Sequence, residues 1–105
     1  TLLDARANNR YRGEVEPLDT IAGHIPTAKN YDWELLREGT NLVITSSLLE
    51  KVNKDEEIVV YCGSGVTATP IYSILKQAGY QNVKVYMAGY SDWVKHYPVE
   101  QGENV

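Results

Sequence analysis

The sequence predicts an α/β fold in which helices cover both faces of a mainly parallel sheet. Three observations support this prediction. Ile58 to Tyr61 is a β-branched and aromatic run, short enough to be a buried parallel strand. Thr67 to Ala78 follows with apolar residues at helical spacing. Further strand-like and helix-like segments alternate along the chain, which is typical of a parallel sheet with crossover helices.

The first half of the chain is predicted to hold short elements around a long loop. Leu2 and Leu3, directly before Asp4, indicate the end of a buried strand. Residues 5–23 are polar and are expected to form a loop, of a length that is often functional. The elements expected next are a strand at residues 28–31, a helical turn at 33–37 and a helix from Ser47, which has capping-box spacing to Glu50, to about Asn53.

The second half is predicted to alternate strand, helix, strand and helix. In the segment after the 58–61 strand, Ile71, Ile74 and Leu75 form one apolar face. Pro70 is tolerated in the first turn of that helix, and Gly79 ends it. A strand at residues 83–87 and a helix at 92–97 complete the expected order.

Composition narrows the class of protein. A chain of 105 residues forms one domain with its own hydrophobic core, and its 43% apolar and 23% charged residues are ordinary for a globular protein. The net charge of −4 argues against a nucleic-acid partner, and no apolar run approaches the roughly 20 residues of a membrane span. A single cysteine excludes an intrachain disulfide and fits a reducing, cytoplasmic location.

That single cysteine, Cys62, is the strongest functional signal. It follows the 58–61 strand and precedes a glycine-rich turn and the predicted helix. Glycines allow backbone N–H groups to approach one sulfur atom, and a helix N-terminus favours negative charge. Although free cysteines are often only buried core residues, this position favours a reactive thiolate. The loop after Asp4 is expected to open on the same sheet edge, so the two loops can form one site.

Residues 62–68, Cys-Gly-Ser-Gly-Val-Thr-Ala, resemble the active-site loop of rhodanese-type sulfurtransferases, especially their mercaptopyruvate branch. Residues 3–6 with 10–13, residues 23–26 with 28–30, and Val85-Tyr86 with Gly89 and Trp93 resemble the same family in the same order. Thr27 stands where the family usually has glycine. The resemblance implies one rhodanese-like domain, residues 1–105, that is the catalytic half of a two-domain protein. Its partner would be an N-terminal rhodanese-like domain.

The resemblance also implies a mechanism and a set of site residues. Cys62 would take a sulfur atom from a small donor as a persulfide and pass it to a thiol or to cyanide. Ser64 would hydrogen-bond the donor or relay a proton, and Arg10, with Arg12 as a second candidate, would bind a substrate carboxylate. The loop residues expected to hold the anionic sulfur are Gly63, Gly65, Val66 and Thr67. Neither a cofactor nor a metal is expected.

The two residues after the cysteine bear on the choice of donor. Thiosulfate is a dianion, and enzymes of this family that prefer it typically place two cationic side chains there. Gly63 and Ser64 are uncharged, so 3-mercaptopyruvate is favoured as the donor.

The sequence also bears on two other functions and on three structural residues. A cysteine phosphatase or arsenate reductase is disfavoured because Thr67 and Ala68 stand where its arginine would lie. A persulfide carrier or interaction module stays open because it would use the same cysteine. Structural roles are predicted for Arg6 in an ion pair with Glu14 or Glu16, for Asp4 in bonding loop backbone, and for His24 as a turn residue satisfied by backbone.

Overall fold

A computed structural model describes residues 1–17, 21–63 and 68–102 of the chain. The strands are β1 (Leu2–Asp4), β2 (Lys29–Asn30), β3 (Arg37–Glu38), β4 (Asn41–Leu42), β5 (Ile58–Tyr61) and β6 (Val83–Tyr86). The helices are α1 (Asn8–Tyr11), α2 (Ser46–Leu49), α3 (Thr69–Gln77) and α4 (Gly89–Trp93), with a 3-10 helix at Trp33–Leu36. The α/β class predicted from the sequence is confirmed.

The main sheet has the strand order β2-β1-β5-β6, and its strand pairs are parallel. In the register, Asp4 pairs with Tyr61, and Tyr61 pairs with Tyr86. These three residues end their strands, so the loops after β1, β5 and β6 leave the sheet at one edge. The prediction that Asp4 and Cys62 lie at the same edge of the sheet is confirmed.

Helices cover both faces of this sheet, as predicted. Ile58, Val60 and Cys62 belong to one core cluster, together with buried residues of α2, α3 and the 3-10 helix. Tyr61, which alternates with them along β5, belongs to a second cluster with Tyr11 of α1 and Tyr90 of α4. Because successive side chains of a strand point to opposite faces, β5 is buried on both sides. Cys62 therefore faces the α3 side of the sheet.

Four short elements were not predicted or have other bounds than predicted. The stretch predicted as a loop at residues 5–23 contains α1, which has no side-chain cap and is held by its buried residue Tyr11. The β3–β4 hairpin has two-residue strands, which carry too little periodicity to detect. The last helix begins at Gly89 and ends at Trp93 rather than spanning 92–97, because its first N–H groups bond to the loop after β5.

The helix predicted from Ser47 to about Asn53 is also shorter and is capped differently. It spans Ser46–Leu49, and the Thr45 hydroxyl accepts the capping hydrogen bond from the Leu48 N–H at 3.2 Å. The Ser47 hydroxyl instead lies 2.8 Å from the Tyr31 hydroxyl. The capping-box interpretation of Ser47 was wrong because a tertiary hydrogen bond engages that side chain.

Thr27 adopts a backbone φ of +73°, in the left-handed region that favours glycine. This conformation explains why glycine is usual at this position in the family that the sequence resembles. Thr27 adopts the conformation with its N–H donating to Glu100 Oε1 at 2.9 Å.

In the three described ranges, no helix is long and apolar enough to cross a membrane.

Candidate active site

Cys62, the single cysteine of the sequence, is 1% exposed and lies directly after β5. Two backbone hydrogen bonds fix its position. The Tyr90 N–H donates to the Cys62 carbonyl at 2.8 Å, and the Ser91 N–H donates to the Gly63 carbonyl at 3.0 Å. Because β5 is held by β1 and β6, and the next two residues by α4, the cysteine backbone is rigid up to Gly63.

Gly89 allows this close approach of α4. Its φ is +63°, and a Cβ atom there would lie 2.7 Å from the Gly63 carbonyl oxygen and closer still to that of Cys62. Both the backbone conformation and the lack of space therefore require glycine. In the sequence, Gly89 stands out only as part of a segment that resembles the family, and this role was not predicted. Its position just after a strand that ends at the site edge was the available signal.

Arg10 is the charged side chain that α1 brings to the cysteine loop. Its Nη2 atom lies 3.3 Å from the position that a Cβ of Gly63 would occupy, so the guanidinium fills space that a side chain there would take. The same atom donates to Glu16 Oε2 at 3.1 Å. Arg10 Nε is buried and has no hydrogen-bond partner among the described residues. The loop after β1 thus places a cation next to the residue after Cys62, and the same side chain carries a buried donor without a partner among the described residues.

Glu16 connects Arg10 to a buried ion-pair network formed by Arg6 and Asp4. Arg6 is 2% exposed, and its Nη2 donates to Asp4 Oδ2 at 2.7 Å and to the Gly23 carbonyl at 2.5 Å. Its Nη1 lies 3.4 Å from Glu16 Oε1, and its guanidinium sits 4.1 Å above the Tyr90 ring. Of the two partners predicted for Arg6, Glu16 pairs with it, whereas Glu14 pairs with Arg12. As predicted, Asp4 bonds loop backbone, since it accepts a hydrogen bond from the Arg6 N–H at 2.9 Å. Asp4 also accepts hydrogen bonds from the Arg6 guanidinium through both of its carboxylate oxygens.

The electrostatics of this network keep Arg6 charged. Burial alone would lower the pKa of Arg6, but the hydrogen bond and the charge of Asp4 act the other way, helped by Glu16. The pKa of Arg6 is therefore raised above its ordinary value. A charged Arg6 fixed by Asp4 is a stable anchor for Glu16.

Two other residues singled out from the sequence have surface or structural contacts. Arg12, the second candidate for carboxylate binding, pairs with Glu14 at 3.6 Å, and its side chain is 45% exposed. His24 is buried, with Nδ1 2.8 Å from the Tyr11 carbonyl oxygen and its ring stacked on Tyr11. The prediction of a structural role for His24 is confirmed.

Four predicted site residues, Ser64, Gly65, Val66 and Thr67, lie outside the described residues, so their roles stay predictions. In the part of the chain that the structure describes, no group of His, Cys, Asp and Glu could hold a metal ion. What the described residues assemble is a fixed cysteine with a guanidinium one residue away. Such an arrangement suits a small anionic molecule that reacts at sulfur.

A family model described as "Rhodanese-like domain" matches residues 1–96. The chain belongs to the rhodanese-like domain family. The matched residues include the strands of the main sheet, Cys62, Arg6 and Arg10. The family resemblance inferred from residues 62–68 and from residues 23–26, Gly-His-Ile-Pro, is confirmed.

Relatives of known name point in the same direction. The chain is 41% identical over 100 residues to a Pseudomonas aeruginosa protein named "Probable 3-mercaptopyruvate sulfurtransferase", covering 89% of this chain and 35% of that protein. It is also 41% identical over 100 residues to the Escherichia coli K12 "3-mercaptopyruvate sulfurtransferase", covering 88% and 35%. The chain thus spans about a third of the length of these relatives.

A solved structure supports the fold. The chain matches the Saccharomyces cerevisiae Tum1 protein with a TM-score of 0.83 at 24% identity. The match covers 98% of this chain and 40% of the yeast chain. The fold of this chain therefore occurs within a longer chain in that protein.

Proposed function

We propose that this domain is a sulfurtransferase that moves a sulfane sulfur from a small donor, through a persulfide on Cys62, to a thiol or to cyanide. The observation that carries the proposal is the placement of the Arg10 guanidinium against Gly63, next to a cysteine fixed at the end of β5. The names of the relatives support the reaction class. Since the chain spans a third of those relatives, we infer that the whole protein contains a second, N-terminal rhodanese-like domain.

The first half-reaction is a displacement at sulfur. The Cys62 thiolate attacks the sulfur of 3-mercaptopyruvate, so that an S–S bond forms and the C–S bond of the donor breaks. The electron pair of the C–S bond leaves with pyruvate enolate, which takes up a proton to give pyruvate. The sulfur stays on Cys62 as a persulfide and keeps its proton.

The second half-reaction returns the cysteine to its starting state. Cyanide attacks the outer sulfur, and the electron pair of the S–S bond goes back to Cys62 as the thiolate. Thiocyanate leaves, and the persulfide proton passes to solvent. A thiol acceptor would react at the same outer sulfur and become a persulfide itself.

Within this mechanism Arg10 would bind the donor carboxylate. A guanidinium offers a planar, charged set of donors that fits a carboxylate, and Arg10 Nε has no partner among the described residues. Gly63 and Ser64 add no charge, which favours 3-mercaptopyruvate over the thiosulfate dianion. Ser64 would relay the proton to the enolate, and N–H groups from Gly63 to Thr67 would stabilise the anionic sulfur.

The proposal is tested by steady-state transfer of sulfur to cyanide with 3-mercaptopyruvate and with thiosulfate, using the chain and its Cys62→Ser variant. We expect faster turnover with 3-mercaptopyruvate and none above background in the variant. Full activity in Cys62→Ser would reject the mechanism. One sulfur accepted per chain without turnover would instead identify a persulfide carrier, for which a cytoplasmic partner protein would be the acceptor.

Arg10→Ala is expected to raise the KM for 3-mercaptopyruvate about tenfold to a hundredfold with a smaller effect on kcat, since a charge-assisted hydrogen bond contributes about 1.5–3 kcal/mol. Steady-state kinetics at several donor concentrations measure the change. Arg37→Ala removes the same charge from an exposed pair with Glu34 and is the control. If both variants show the same KM, Arg10 does not bind the donor.

A further inference from the structure

Glu16 lies between the two arginines of the site. Its Oε1 is 3.4 Å from Arg6 Nη1, and its Oε2 is 3.1 Å from Arg10 Nη2. The Glu16 side chain is only 5% exposed, so these pairs are shielded from solvent. From the sequence, Glu16 was predicted only as one of two possible structural partners of Arg6.

The two arginines differ in how firmly they are held. Arg6 is buried and bonded to both carboxylate oxygens of Asp4 and to the Gly23 carbonyl. The Arg10 side chain is 19% exposed, and Glu16 is its ion-pair partner among the described residues. Glu16 therefore connects a fixed arginine to the arginine that faces Gly63. Its removal would release Arg10 and leave Arg6 with Asp4.

The charges of this cluster cancel. Asp4 and Glu16 are each negative, and Arg6 and Arg10 are each positive. The cluster beside the cysteine loop thus has no net charge, although Arg10 keeps one buried donor without a partner. Such a site offers directed hydrogen bonds to one carboxylate without the excess positive potential that a dianion would need.

We propose that Glu16 is a positioning residue that sets the charge preference for the donor: it orients Arg10 and offsets its charge, and so favours a monoanionic carboxylate donor over a dianion. This inference rests on the proposed function and deepens it. Donor choice would then depend on Glu16 as well as on Arg10.

The donor ratio tests the inference. Glu16→Gln should raise the kcat/KM for thiosulfate relative to that for 3-mercaptopyruvate by about threefold to tenfold. The effect is modest because solvent partly screens the charge of Glu16 from the donor. Glu16→Asp keeps the charge and should retain the donor ratio of the unmodified chain. Glu34→Gln removes the same charge at the exposed pair with Arg37 and should leave the ratio unchanged. An unchanged ratio in folded Glu16→Gln would overturn the inference.

A double-mutant cycle separates positioning from a merely structural role. Glu16→Gln should raise the KM for 3-mercaptopyruvate in the unmodified chain but not in an Arg10→Ala background, because the effect passes through Arg10. Additive effects on KM would contradict this. Thermal unfolding of every variant identifies losses that come from folding.

A second readout needs no turnover. Cys62 is alkylated with iodoacetate, which is anionic, and with iodoacetamide, which is neutral. Glu16→Gln should raise the iodoacetate-to-iodoacetamide rate ratio, and Glu34→Gln should not. If the alkylation rate ratio changes but the unmodified chain transfers no sulfur, the proposed function is wrong, and the effect of Glu16 on the charge near Cys62 is supported. If sulfur transfer depends on Cys62 but neither the donor ratio nor the alkylation rate ratio changes, only the role of Glu16 is wrong. A thiol that neither reagent reaches would overturn both.

Discussion

Arg6→Met is expected to lower the free energy of unfolding by about 3–5 kcal/mol. The substitution keeps an unbranched side chain in the buried position but removes the partner of Asp4, whose side chain is fully buried. A carboxylate left without its guanidinium in the interior must either stay charged at high cost or take up a proton. The Gly23 carbonyl also loses its hydrogen bond, at 2.5 Å, from Arg6.

Urea denaturation followed by circular dichroism measures the effect, with Arg37→Met as the control. Arg37 pairs with Glu34 at 3.8 Å, and both side chains are about half exposed, so its loss should cost less than about 1 kcal/mol. Equal losses in the two variants would show that the buried network contributes no more than a surface pair. Sulfur transfer by Arg6→Met should fall as well, since Glu16 loses its anchor.

Gly89→Ala is expected to cost about 3–4 kcal/mol of stability and to lower kcat/KM at least tenfold. Alanine at φ +63° carries the left-handed backbone penalty of about 1–2 kcal/mol. Its Cβ would also collide with the carbonyl oxygens of Cys62 and Gly63. Relief of the collision requires α4 to move away, which breaks the hydrogen bonds from Tyr90 and Ser91 that fix these two residues.

Gly39→Ala is a matched control for this variant. Gly39 has φ +61°, but a Cβ there would have no atom within 4 Å. The control should therefore show only the backbone penalty, about 1–2 kcal/mol, and unchanged kcat/KM. Chemical denaturation and steady-state kinetics on both variants isolate the collision at Cys62. Similar losses of stability and activity at the two positions would refute the proposed role of Gly89.

Elements with strong local patterns were predictable from the sequence. Four consecutive apolar residues set the bounds of β5, and the spacing of Ile71, Ile74 and Leu75 identified α3. The shorter elements depend on distant contacts: α1 has no side-chain cap and buries Tyr11, and Ser47 bonds Tyr31 instead of capping α2. Such tertiary contacts override weak local signals, so the bounds of these elements could not be derived from spacing.

Part of the candidate site could be proposed from the sequence. Cys62 was proposed from the strand–turn–helix pattern, and Arg10 from the resemblance to rhodanese-type sulfurtransferases together with its place in the loop after β1. The role of Gly89 depends on the distance between α4 and the cysteine loop, which no local pattern contains. Glu16 could be assigned as an ion-pair partner of Arg6, but its second bond, to Arg10, depends on how the loop folds back over the sheet edge.

The proposed mechanism requires Cys62 to carry the transferred sulfur as a persulfide. The direct measurement is intact-protein mass spectrometry of the chain after incubation with 3-mercaptopyruvate, followed by peptide mapping and a cyanide chase. We predict the addition of one sulfur atom to the peptide that contains Cys62, its removal by cyanide, and no addition in Cys62→Ser. Formation of pyruvate and thiocyanate without a sulfur adduct on Cys62, or an adduct that is still formed in Cys62→Ser, would rule out the proposed Cys62 persulfide mechanism.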